Sequence, residues 1–148
     1  MDIEIKFRKF RFDACVPKYA HGSVEDAGLD LSYCADHPVT LAPGERSLLP
    51  TGVAIELPAG FEGQIRPRSG LALSRGLTVL NAPGTVDPGY RGEVRVLLIN
   101  LSDTPQTLNP GERIAQLVIA QYISVRLQEV STLEQSKRGD TGFGDSGT

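Results

Sequence analysis

The sequence predicts an all-β domain with one short helix and a flexible C-terminal arm. Turn residues are the first reason: Gly 16 and Pro 10 in 148 residues, spread along the chain and parting short apolar runs, suit many turns between many strands. Periodicity is the second, because apolar and polar residues alternate within those runs as in half-buried strands. The third is a change at the end of the chain, where large apolar side chains all but cease. A length of 148 residues suits one domain, so residues 1–133 are read as the β domain and 134–148 as the arm. Hydrophobic residues make up 40%, enough for a single core.

Each element follows in order. Ile3, Ile5 and Phe7 alternate with Glu4 and Lys6 as a first strand. Gly28-Leu29-Asp30-Leu31-Ser32-Tyr33 alternates again. Ala42-Pro43-Gly44-Glu45-Arg46 is nearly repeated as Asn109-Pro110-Gly111-Glu112-Arg113. Proline pre-sets φ and glycine supplies φ > 0 at the two centres of a type II turn, and each pentad leads into an apolar segment. Further strands are expected at 51–57, 63–66, 77–80, 93–100 and 114–130. In the last of these Leu117, Ile119, Ile123, Val125 and Leu127 share one parity; a helix competes, and β-branched content favours the strand. Ser69 to Gly76 reads as the one helix, with an N-cap serine, helix formers, a late cation and a closing glycine. From Lys137 to Thr148 the large apolar residue is Phe143, so burial cannot order that segment.

Charge and composition then exclude several classes. The net charge of −3 gives no basic field to attract nucleic acid. No run of apolar residues reaches membrane-spanning length and no basic-then-apolar leader opens the chain, so neither a membrane span nor a secretory signal is expected and a cytoplasmic protein is. Cys15 and Cys34 are read as reduced thiols, and two histidines, His21 and His37, cannot build a multi-histidine metal site.

Five segments carry candidate chemistry. Arg66-Pro67-Arg68-Ser69-Gly70 opens the helix, where free amides, two guanidiniums and a glycine make either a phosphate cradle or a plain cap with solvated arginines. Asp87-Pro88-Gly89-Tyr90 has the sequence of a β-turn. With the turn signal Asn81-Ala82-Pro83-Gly84 upstream, a hairpin over 79–92 is expected to bring the Asn81 amide, the Asp87 carboxylate and the Tyr90 ring to one side. Asp30 and Gln116 interrupt apolar neighbours, as solvated strand positions or as ligands. Arg138 to Gly147 is either a solvated tail or an arm that folds over a ligand, with Arg138 on a phosphate, Phe143 on a base and glycine amides on anionic oxygens.

Taken together, these segments resemble the five ordered motifs of the trimeric dUTP diphosphatases (dUTPases). They read Ala27-Gly28-Leu29-Asp30-Leu31, then Pro67-Arg68-Ser69-Gly70-Leu71-Ala72, then Asn81 through Thr85-Val86-Asp87-Pro88-Gly89-Tyr90-Arg91-Gly92-Glu93. Gly111-Glu112-Arg113-Ile114-Ala115-Gln116-Leu117 is the fourth and the Arg138–Gly147 arm the fifth. The resemblance spans residues 27–147 in the family order.

The resemblance implies a jelly-roll-like β-barrel subunit in a homotrimer with shared active sites, hydrolysing dUTP to dUMP and pyrophosphate with Mg²⁺. It implies that Arg68, Ser69 and Gly70 hold the phosphate chain, that Asn81 and nearby backbone read uracil, and that Tyr90 stacks on the deoxyribose. Asp87 would activate the attacking water. Asp30, through water, and Gln116 would support the metal–phosphate region, while Arg138, Phe143, Gly144 and Ser146 come from the arm. Two residues depart from the pattern: Thr141 stands where the arm usually has glycine, and Asp145 where a small polar residue is usual. The dCTP deaminases share the fold and a related Pro-Arg-Ser segment, but lack such an arm. A catalytically silent nucleotide-binding module is the reading from another class, and it predicts dUTP binding without turnover.

Overall fold

Alternation along the chain turns directly into burial. In β9 (Arg95–Asn100) Val96, Leu98 and Asn100 are buried while Leu97 and Ile99 are half-exposed, so one strand face meets the core. The computed structural model describes residues 2–147; of the stretches 1–133 and 134–148, Met1 and Thr148 lie outside the described residues.

The strands are β1 (Lys6–Lys9), β2 (Gly28–Ser32), β3 (Val39–Leu41), β4 (Arg46–Pro50), β5 (Val53–Glu56), β6 (Phe61–Arg66), β7 (Leu77–Val79), β8 (Gly84–Val86), β9, β10 (Gln106–Leu108) and β11 (Arg113–Gln121), with helix α1 (Ser69–Arg75) between β6 and β7. They pair in the orders β1-β5, β10-β3, β2-β11-β6-β8 and β4-β9-β7, antiparallel throughout. These sheets enclose one core that includes Leu31, Leu41, Val53, Leu98, Leu108 and Leu117. The architecture is jelly-roll-like, and its hydrogen bonding does not close into a barrel among the described residues. Each fully buried leucine or valine contributes on the order of 2 kcal/mol, which is what holds the short strands in place.

Both proline–glycine pentads form the expected turns. Gly44 and Gly111 take φ of 78° and 89°, and the Glu45 and Glu112 amides donate to the Ala42 and Asn109 carbonyls at 2.9 and 3.1 Å. The two glutamates then accept from the amides of those same first residues, at 2.7 and 3.1 Å.

Several boundaries differ from the sequence reading. The first strand begins at Lys6 rather than Ile3, pairing with β5. β11 stops at Gln121, and beyond it Ile123, Val125 and Leu127 stay exposed. They keep a strand's parity with no neighbouring strand to bond among the described residues. β3, β8 and β10 span three residues each, too short to show a period. In α1 the cap position falls to extended Arg68, which makes no side-chain capping bond, and Ser69 is the first helical residue. Gly76 closes the helix in the left-handed conformation, as its place in the sequence predicts.

Candidate active site

Strand register assembles the first part of the site. Gln116 on β11 stands opposite Asp30 on β2 and, on its other side, opposite Arg66 on β6. Opposed residues share a sheet face, so carboxylate, amide and guanidinium form one row about 10 Å long across three strands. The chain leaving β6 brings Arg68 back over this row.

Asp30 organises it. Its carboxylate is mostly buried and meets Arg68 Nε at 3.4 Å through one oxygen and Arg113 Nη1 at 3.2 Å through the other. Arg68 also reaches the Arg113 carbonyl, at 3.4 Å. Gln116 donates from Nε2 to the Pro67 carbonyl at 3.0 Å, tying the segment before α1 to β11. This packing needs Gly28, because a Cβ there would stand 2.3 Å from Gln116 Oε1. Arg66 donates to Gln64, which in turn donates to Glu62.

Asp30, Arg66, Arg68, Ser69, Gly70, Arg113 and Gln116 line a concavity of about 560 Å³. At its rim the Asp26 carboxylate accepts from the His21 amide at 2.5 Å and approaches the ring Nδ1 at 3.1 Å. Those bonds hold the Asp26 carboxyl below the usual carboxylate range, the backbone donor contributing most. Arginines, an amide and helix-start backbone are chemistry for phosphate oxygens.

Asp87 and Tyr90 stand elsewhere. The turn after β8 forms as its sequence indicates, the Tyr90 amide donating to the Asp87 carbonyl at 3.1 Å. Tyr90 folds across Gly92, where a Cβ would lie 2.4 Å from the phenol oxygen, and its hydroxyl donates to the Glu93 carbonyl at 2.9 Å. Glu93 accepts from the Gly52 amide at 2.9 Å and so pins the turn to the body. Asp87 is exposed, and among the described residues its carboxylate has no hydrogen bond or ion pair. Asp87 and Tyr90 line a smaller concavity of about 270 Å³ with Leu48 and Ile65.

The expected hairpin over 79–92 does not form. β7 joins β9 in one sheet and β8 joins β6 in another, so the two strands part at the turn. Asn81 precedes the β8 end paired with Ile65, while Asp87 follows the end paired with Gly63. They lie at opposite ends of β8, roughly 10 Å apart along the strand. Within one chain the arginine concavity, the Asp87–Tyr90 turn and the arm are thus three separate pieces. Arg138, Phe143, Gly144 and Ser146 lie in a segment whose hydrogen bonds, among the described residues, all close within residues 136–147.

Sequence reasoning assigned no role to Arg113, His21, Asp26 or Glu93. Arg113 was visible within the fourth motif, but its partner Asp30 is set by register, 83 residues away. Asp26 and Glu93 act through backbone amides, which no side-chain pattern reports.

A divalent ion finds no group of three or more His, Cys, Asp or Glu side chains among the described residues. Mg²⁺ keeps several waters and is bound by phosphates with one or two carboxylates rather than by protein cages. The donors here, several guanidiniums beside a carboxylate, fit a Mg²⁺ that arrives on a polyphosphate.

Comparison with known proteins agrees with this chemistry. The dUTPase family model matches residues 15–147. The chain is 50% identical to the deoxyuridine 5'-triphosphate nucleotidohydrolase of Solibacter usitatus, covering 98% of this chain and 97% of that protein. It is 51% identical to the enzyme of that name from Hydrogenobaculum sp., over 98% and 99%. Among solved structures, Staphylococcus bacteriophage 80alpha dUTPase with dUpNHpp superposes with a TM-score of 0.87 at 28% identity, over 98% and 99% of the two chains. A family model spanning nearly the whole chain and half-identical relatives of equal length leave one assignment: the chain belongs to the dUTPase family.

Proposed function

We propose that this protein hydrolyses dUTP to dUMP and pyrophosphate, supplying dUMP for thymidylate synthesis and keeping uracil out of DNA. The observation that carries the reading is the pair Arg68 and Arg113, fixed by one mostly buried carboxylate beside Gln116, in a chain whose Asp87 carboxylate has no partner among the described residues. The first is a prepared seat for phosphate charge; the second is a base.

In this reading water attacks the α-phosphorus and gives its proton to Asp87, and the bond from that phosphorus to the bridging oxygen breaks to release pyrophosphate. An aspartate is ionised at neutral pH and accepts that proton. Arg68, Ser69 and Gly70 hold the phosphate chain, with Gln116 alongside. Mg²⁺, when bound on the phosphates, neutralises part of their charge; of this chain's residues Asp30 would approach it, through water. Asn81 and adjacent backbone read uracil. Tyr90, braced against Gly92, covers the deoxyribose and leaves no room for a 2′-hydroxyl.

A homotrimer with shared sites completes the reading. The arginine concavity and the Asp87 turn are apart in one chain, and Ile123, Val125, Leu127 and Leu133 are exposed on one, which suits burial against other copies. The arm, residues 134–148, supplies Arg138, Phe143, Gly144 and Ser146, reaching a neighbour's site at about 3.4 Å per extended residue. No helix among the described residues is long and apolar enough to cross a membrane, and we place the enzyme in the cytoplasm.

The test is pyrophosphate release from dUTP beside dTTP, dCTP and UTP. Turnover of dUTP far above the other three supports the reading. Comparable rates on all four overturn it, and ammonia from dCTP would make the protein a deaminase. Light scattering at three chains per particle supports the assembly.

A further inference from the structure

We propose that Asp145 is a built-in competitor for Arg138: it occupies the arm's guanidinium in the open state, and the nucleotide's phosphates must displace it for the arm to close. The inference rests on the reading of the arm as the segment that closes over the nucleotide.

The free arm is knotted on itself. Arg138 donates from Nε to the Thr141 carbonyl at 2.9 Å, and its Nη2 lies 3.6 Å from Asp145 Oδ1. Thr141 stands between them, its hydroxyl 2.6 Å from Asp145 Oδ2 and 2.9 Å from the Arg138 carbonyl. One hydroxyl proton serves one acceptor at a time, so Thr141 holds whichever of the two the arm presents. Phe143 projects outward, exposed, at the positive φ of 54°. The ring is therefore offered to a ligand while the Arg138 cation is already partnered.

Carboxylates and phosphates bind guanidiniums alike, so a phosphate competes with Asp145, which approaches Arg138 through Nη2 at 3.6 Å. Asp145 sits seven residues from Arg138 on the same segment, so no closed arm can leave it far behind. Its charge must turn away from Arg138, and it then faces the incoming phosphates as a like charge. A triphosphate, with about four negative charges, displaces it more readily than a monophosphate with about two. Closure is thereby weighted toward substrate over a hydrolysed product.

The ion pair is exposed, so the expected effect is modest. Trypsin cutting at Lys137 and Arg138 reports the open arm, and the imido analogue of dUTP protects it as the arm closes. Asp145→Asn is expected to lower the analogue concentration giving half-protection, and the KM for dUTP, by roughly two- to fivefold. Asp145→Glu keeps the parent values. In an Arg138→Gln background the same Asp145→Asn change produces no shift, because the competitor has nothing to hold. An unchanged or raised half-protection concentration in Asp145→Asn overturns the inference, as does an equal shift in the Arg138→Gln background. If the parent protein neither hydrolyses dUTP nor gains protection from the analogue, the proposed function itself falls, and this inference with it.

Discussion

Asp30 and Asp87 are the same side chain in two regions built to opposite ends. Asp30 projects from the middle of a paired strand, mostly buried, with each oxygen committed to a different arginine. Asp87 sits on an exposed turn after a three-residue strand, its carboxylate without a protein partner among the described residues. A carboxylate engaged by two guanidiniums fixes where those guanidiniums stand. In the proposed function, Asp30 positions guanidiniums and Asp87 takes the proton; strand register sets the surroundings of one, and an exposed turn those of the other.

Asp87→Asn should break the comparison hardest. The amide keeps size and hydrogen bonding but takes no proton, so kcat falls by roughly 10²–10⁴-fold while dUTP still binds. Steady-state kinetics with pyrophosphate detection measure this, and full activity in the variant would end the assignment of the base. The same variant sharpens the comparison when refolded together with Arg68→Gln chains. If the two regions serve one site from different subunits, the mixture recovers activity that neither variant has alone.

Removing residues 137–148 takes Arg138 and Phe143 while touching neither region. Among the described residues the arm's hydrogen bonds close within itself, so the thermal midpoint should stay near that of the full chain. The loss of closure should lower kcat/KM by roughly 10²-fold. A truncated chain that does not fold would show the segment to be structural.

Asp30→Asn comes next, with an effect of a different kind. Losing the shared anion leaves Arg68 and Arg113 without the charge that sets their positions, and kcat/KM should fall roughly 10- to 100-fold, chiefly through KM. A fall confined to kcat would instead make Asp30 part of the chemical step.

The Asp87 side of this contrast was legible in the sequence, and the Asp30 side was not. Asp87-Pro88-Gly89-Tyr90 is a local turn, and local turn chemistry is written in adjacent residues. The two pentads and the Gly76 helix stop were legible for the same reason. That Asp30 meets Arg68 and Arg113 depends on how β2, β11 and β6 align, which alternation specifies only as to face. The hairpin expected over 79–92 failed on the same ground: its turn signals were sound, but they do not say that β7 and β8 enter different sheets. The family resemblance offered roles for residues that local reading left undecided, and neither disclosed Arg113 as Asp30's second partner.

A third carboxylate gives the smallest and cleanest test. Asp26, at the rim of the arginine concavity, is held by the His21 amide and ring rather than by an arginine. Its pKa in the folded chain is depressed from the ordinary 3.8, so the native state binds that proton less readily than the unfolded chain does. The stabilisation is therefore present in full above about pH 4 and is lost as pH falls through the lowered native value. Urea midpoints of the parent and Asp26→Asn should differ at pH 6 and converge toward pH 3. A gap that stays constant across that range would mean that the ionised carboxylate contributes nothing, and that only the shape of the 21–26 loop holds it in place.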